Sequence, residues 1–162
     1  MNCFKNCFLR RRLKNTTDKF PPFSLNGLKT LAKVVNVYDG DTFKACMEHD
    51  GVMRKYTFRT VGYDAAEIKP LKSIPNREQH IALAIKGRDL LRSLILDKIV
   101  TIHCEKFDKY GRVLAHVYIE NVHVNEIMID SGLVQLYHGA KRPDHPLKDL
   151  ESNKEELKYQ LC

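Results

Sequence analysis

Asp41, Arg59, Asp64, Glu67 and Arg112 stand at turn edges and strand ends of a sequence that is otherwise apolar at alternating positions. Their types suit one kind of chemistry. A hard divalent cation takes carboxylate, carbonyl and water oxygens, and Ca²⁺ tolerates irregular geometry among them. Asp41 and Asp64 offer carboxylates, and a third carboxylate, Glu67, could activate or orient a water beside such a cation. Arg59 and Arg112 carry a planar, permanently charged group that matches phosphate oxygens two at a time. Together these groups fit hydrolysis of a phosphodiester. Each also has a structural reading. Asp41 could be a solvated strand end, Arg59 a partner of Glu48 or Asp64, Asp64 a loop residue bonding its own backbone, and Glu67 plain surface. Structural ion networks produce such clusters too. The seven histidines are dispersed and show no H-x-x-x-H or Cys/His ligand spacing.

The elements that must position these residues read mainly as β. A first strand over 32–38 puts Val35 and Val37 on one face and Val34 on the other. The Asp39-Gly40 pair between alternating apolar runs is a hairpin signal, and Asp41 opens the returning strand, 41–48, whose inner face is Phe43, Ala45 and Met47. A second turn at 49–51 leads to a third strand over 52–61. A helix is expected over 76–96, with Asn76 as N-cap and an apolar stripe of Ile81, Ala84, Ile85, Leu91, Leu94 and Ile95; Gly87 within it implies close packing. "KIVTIHCEK" alternates Val100, Ile102 and Cys104, "FDKYG" is a polar loop, and "RVLAHVYI" is the fifth strand. Glu120-Asn121 reads as a turn. "NEIMIDSG" reads as a short helix capped by Asn125 and closed by Gly132, and a last helix is expected from Pro146. The order β-β-β-α-β-β-α-α is that of an α+β, OB-type five-stranded Greek-key barrel with three helices, whose loops between strands 1 and 2 and between strands 4 and 5 carry ligand contacts.

A chain of 162 residues implies one domain, read as 27–162, after a basic N-terminal tail over 1–26 that shows no periodicity and is expected to be flexible. Six basic residues against one acid in 1–20 hold five of the seven net positive charges, so the basicity belongs to the tail rather than to a groove in the folded part. Such a tail could attract nucleic acid or an anionic membrane, and Cys3 and Cys7 beside it could accept palmitate. No run of about 18 apolar residues exists to span a membrane, and the start does not read as a signal peptide. Five scattered cysteines form neither a disulfide framework nor a zinc ribbon, which favours a reducing, intracellular compartment.

"VYDGDTFKA", "YTFRTVGYDAAE", "FDKYGRVLAHVYI" and "VNEIMIDSGLVQLY", in this order, resemble the staphylococcal nuclease-like (thermonuclease) family. The resemblance implies an OB-fold nuclease, a Ca²⁺-dependent monomer that cleaves DNA and RNA with little sequence specificity and leaves 3′-phosphates. Asp41 and Asp64 would then be the metal carboxylates and the Ala65 carbonyl a backbone ligand. Glu67 would act on the attacking water, and Arg59 and Arg112 would clamp the phosphate. Lys109 and Tyr110 would touch a terminal phosphate, and Tyr137 lies near the stacking tyrosines. Where the family has Asp-Thr-Pro-Glu this chain has Asp64-Ala65-Ala66-Glu67, which implies a looser metal loop. The contrasting expectation is a noncatalytic OB module that binds nucleic acid or a protein, a role in which such acids are usually lost.

Overall fold

The computed structural model describes residues 3–137, so the helix expected from Pro146 lies outside the described residues. The alternating apolar residues build β1 (Lys29–Val37), β2 (Thr42–His49) and β3 (Val52–Thr60) as an antiparallel meander. A bulge between Val34 and Asn36 breaks the simple alternation of β1. Val34 and Val37 therefore both enter the core and Val35 is exposed, which corrects the expected pairing of Val35 with Val37. In β2 the inner face is Phe43, Ala45 and Met47, as the alternation predicts.

After β4 (Tyr63–Ala65), the long helix α2 (Arg77–Ile95) crosses to β5 (Ile99–Phe107) and β6 (Val113–Ile119). Then come β7 (Val122–His123), α3 (Val124–Asp130) and β8 (Val134–Leu136). The large sheet runs β3-β2-β1-β5-β6-β7, and a parallel pairing of β3 with β6 closes its first five strands into a barrel. Closure removes the open edges. Phe43 stacks on Phe58 inside it, among Val34, Met47, Val100, Ile102 and Val113. This is the α+β, OB-type five-stranded barrel with helices that the strand order predicts.

The two Asp-Gly turns differ. Asp50 and Gly51 both have positive φ, and His49 faces Val52, so this is the tight two-residue hairpin. Neither Asp39 nor Gly40 has positive φ, and the loop is wider, closed by N–H groups of Tyr38 and Asp39 donating to the Thr42 carbonyl. Gly40 is needed for close approach instead: a Cβ there would sit 2.8 Å from the Ala65 Cβ and 3.3 Å from the Gly87 backbone. This is the close packing that a glycine inside α2 implied.

Helix α2 buries His80, Ala84, Gly87, Leu91 and Ile95, while Ile85 of the expected stripe is exposed. Asn76 occupies the N-cap position in a left-handed conformation and makes no side-chain capping bond. Asn125 does not cap α3; its buried side chain accepts from the Val117 N–H and donates to the Val61 and Ala115 carbonyls, tying α3 to β6. The expected tail carries a helix, α1 (Cys3–Lys14), ending on Arg11, Arg12 and Lys14, cations that suit a helix C-terminus. Helix propensity of Leu, Arg and Lys explains it where amphipathic periodicity gave no signal. Residues 6–24 are exposed throughout. No helix among the described residues is long and apolar enough to cross a membrane.

Candidate active site

The wide 38–42 loop and the antiparallel register together decide where the charged residues meet. Thr42 faces Arg59 across β2 and β3, so the Arg59 guanidinium lies over the start of β2, where Asp41 stands. The short strand β4 brings Asp64 to the same place; it pairs with β8 through Asp64 opposite Gln135. Arg59 consequently holds both acids. One terminal nitrogen lies 2.7 Å from Asp41 Oδ2 and the other bonds Asp64 Oδ1. The arrangement realises the suspected Arg59–Asp64 pair and adds Asp41 to it.

Asp41 is only 2% exposed. Its Oδ1 accepts from the Thr42 hydroxyl at 2.8 Å, and its Oδ2 accepts from the Ala65 N–H at 3.1 Å. Burial, and then the neighbouring Asp39 carboxylate, hold Asp41 well above the usual carboxylate range, against the pull of Arg59 and of the Ala65 N–H. The solvated-rim reading of Asp41 is therefore wrong. Tyr63, fully buried, donates its hydroxyl to the Gly40 carbonyl at 3.0 Å and locks the loop to β4.

The second arginine is organised separately. Asp108 Oδ1 accepts the backbone N–H groups of Tyr110 and Arg112, and Oδ2 lies 2.6 Å from Arg112 Nε. Burial raises Asp108, but these bonds outweigh it and leave the carboxyl below its ordinary value. Arg112 Nη1 reaches the Thr42 hydroxyl at 3.3 Å. Thr42 thus donates to Asp41 and accepts from Arg112, joining the two halves. Lys109 and Arg112 both lie over the Tyr110 ring, at 5.0 and 5.4 Å from its centre.

All nine residues singled out in the sequence line one open cleft of about 990 Å³: Asp41, Arg59, Asp64, Ala65, Glu67, Lys109, Tyr110, Arg112 and Tyr137. Glu67 is exposed on its rim, and the Tyr137 N–H bonds the Gly62 carbonyl, which fixes that residue beside β4. Thr42, Tyr63 and Asp108 are the supporting residues that spacing missed. A Thr beside an Asp and an Asp four residues before an Arg are too common to signal a site.

The sequence profile of the staphylococcal nuclease homologue family matches residues 57–160, well over half of the chain. The chain belongs to the staphylococcal nuclease homologue family. An uncharacterized endonuclease of Escherichia coli is 31% identical to this nuclease homologue over 109 residues, which are 65% of this chain and 60% of that protein. An uncharacterized protein of Bacillus anthracis is 32% identical over 112 residues, 67% of this chain and 48% of the other. A probable staphylococcal-like nuclease of Oryza sativa is 28% identical over 88 residues, 54% of this chain and 20% of its own length. The nuclease homologue thus spans about half to three fifths of the two bacterial relatives.

The donor set of the cleft bears on whether it can hold a cation. Among the described residues no three His, Cys, Asp or Glu side chains converge as a ready ligand group. Two buried or half-buried carboxylates do converge, and a positive group, the Arg59 guanidinium, already lies between them. Asp41, held against ionisation by burial and by Asp39, is a group whose charged form a cation would stabilise. Donors that are all oxygen, the Asp41 and Asp64 carboxylates with the Ala65 carbonyl next to Asp64 in the chain, fit a hard divalent ion.

Proposed function

We propose that the protein is a Ca²⁺-dependent endonuclease that hydrolyses DNA and RNA with little sequence specificity and leaves 3′-phosphates. The observation that carries this reading is the convergence of Asp41, Asp64, Arg59, Arg112 and Glu67 in one cleft. The family membership and the endonuclease and nuclease names of two relatives support it.

Asp41, Asp64 and the Ala65 carbonyl would hold Ca²⁺, which when bound supplies fixed positive charge for the phosphate oxygens. Arg59 and Arg112, which line the same cleft, would pair with the phosphate oxygens. Arg59 would trade part of its contact with the two acids for phosphate, and Arg112 is kept aimed by Asp108 and Thr42. Preorganised donors of this kind stabilise the charge that develops as the phosphorus gains its fifth oxygen. Glu67, on the rim, would accept a proton from the attacking water or orient it. Lys109 and Tyr110 would meet the terminal phosphate, and Tyr137 offers a ring for a base.

Plasmid and single-stranded DNA, incubated with Ca²⁺ or with chelator, test the proposal. Chelator-sensitive cleavage is expected, with Glu67→Gln slowing it at least about 100-fold. Absence of chelator-sensitive cleavage, or full activity of Glu67→Gln, overturns it. Tight Ca²⁺-independent binding without cleavage would show a noncatalytic OB module instead.

A further inference from the structure

The three histidines of β5, β6 and β7, scattered in sequence, stand together on the barrel's outer face. In β5 the core side is Val100, Ile102 and Cys104, so Thr101, His103 and Glu105 point outward; in β6 Val113, Ala115 and Val117 are buried, so His116 and Tyr118 point outward. His103 pairs with His116, and Tyr118 pairs with His123. None of these residues lines the cleft.

They form a chain of contacts. Glu105 Oε1 lies 3.3 Å from His116 Nε2, His116 Nδ1 lies 3.1 Å from His123 Nε2, and His123 Nδ1 lies 2.9 Å from Glu126 Oε1. The inner contact is a hydrogen bond whose direction depends on the tautomer of each ring, and the outer two are ion-pair distances. Each neutral imidazole carries one N–H. In the tautomers that place both N–H groups on the glutamate side, the inner nitrogens turn two lone pairs toward each other, as two ligands of one ion do.

We propose that a divalent transition-metal ion binds between His116 Nδ1 and His123 Nε2, with water completing its coordination. Imidazole nitrogens at 2.0–2.1 Å from a tetrahedral Zn²⁺ lie about 3.3 Å apart. The observed 3.1 Å needs only a few tenths of an ångström of opening. The outer contacts are the carboxylate–histidine arrangement that orients metal ligands and raises their basicity. Tyr118 stacks on His123, ring centres 4.6 Å apart at 13°, which fixes that imidazole's plane. The side chains of His116 and His123 are 35% and 18% exposed, so an ion can enter from solvent. Among the described residues no third protein ligand is in place. The site is therefore open and weaker than four-ligand structural zinc. Imidazole selects Zn²⁺, Cu²⁺ or Ni²⁺, whereas Ca²⁺ prefers oxygen, so this site is chemically separate from the cleft.

The test is a Zn²⁺ titration of the full, ¹⁵N-labelled, chelator-treated protein, with imidazole nitrogens followed by NMR. His116 Nδ1 and His123 Nε2 should shift together and saturate at one equivalent, while the outer nitrogens keep their hydrogens. His123→Asn should weaken this binding more than tenfold, Glu105→Gln about tenfold, and Ca²⁺ should produce no shift. Asp41→Asn, in the cleft, should leave it unchanged. Inner nitrogens that stay unshifted while Zn²⁺ saturates thiols or other histidines overturn the proposal. So does a hydrogen that persists between the two rings and is not displaced by Zn²⁺.

Discussion

Cross-strand pairing assembles both the cleft and the histidine face, but each settles its charges differently. In the cleft, Arg59 reaches Asp41 and Asp64 with a guanidinium that cannot be deprotonated. On the outer face, His116 and His123 meet ring nitrogen to ring nitrogen between Glu105 and Glu126, with no permanently charged group in the cluster to balance the two acids. The Asp41, Arg59 and Asp64 side chains at the back of the cleft are only 3%, 13% and 11% exposed, so removing the guanidinium leaves carboxylates with little water to replace it. The histidine face is half in solvent, and water can take over its contacts. Burial thus makes one charge cluster part of the fold and leaves the other free to respond to ligands.

Breaking the cleft's cation should have the largest effect. Arg59→Met is expected to cost about 3–5 kcal/mol, because it strands two carboxylates in a buried pair. Denaturant unfolding in chelator measures this, and added Ca²⁺ should recover part of the loss. A change within experimental error would mean that Arg59 does not compensate the acids.

Next comes Asp41→Asn. Cleavage should fall by about 10²–10³-fold, the usual cost of losing one preorganised electrostatic group. Stability in chelator should move the other way. Burial holds the Asp41 carboxyl above its unfolded value, so the wild-type protein is favoured by this group at low pH and loses that advantage as pH rises through the folded value. Unfolding midpoints should therefore be equal near pH 3.5 and increasingly favour Asp41→Asn from pH 4 toward 8. Parallel pH curves for the two proteins would contradict the burial argument.

Gly40→Ala probes the packing behind the acids. Its Cβ would collide with Ala65 and the α2 backbone, at an expected cost of about 1–3 kcal/mol. Turnover should fall with it, because the loop carries Asp41. Thr42→Val should be milder, at about 1 kcal/mol for its two lost hydrogen bonds, with the effect concentrated in turnover through Arg112. At the small end, His116→Asn in metal-free buffer should stay within about 0.5 kcal/mol of the wild type. A larger destabilisation there would erase the contrast between the two regions.

Alternation alone assigns Phe43, Ala45, Met47, Val100, Ile102 and Cys104 to the core, because a strand has only two faces, and all six are buried. It fails at Val35, where one bulge residue reverses the faces, and at the short β4, whose three residues carry no periodic signal. Asn125 departs from the expected cap because tertiary contacts compete with local ones. An Asn side chain takes the best available partner, and for Asn125 that partner is the backbone of β6 rather than its own helix.

The sequence by itself determined the five barrel strands with the helix between the third and fourth, the residue types able to do phosphodiester chemistry and, through its resemblance to a family, which residues to watch. These depend on local pattern and side-chain chemistry, which the chain carries in any conformation. Tertiary structure alone decided that Arg59 bridges Asp41 and Asp64, that Thr42 joins them to Arg112, and that His116 and His123 meet nitrogen to nitrogen. Those facts depend on strand register and barrel closure, which set distances between residues far apart in sequence, and no local spacing encodes them.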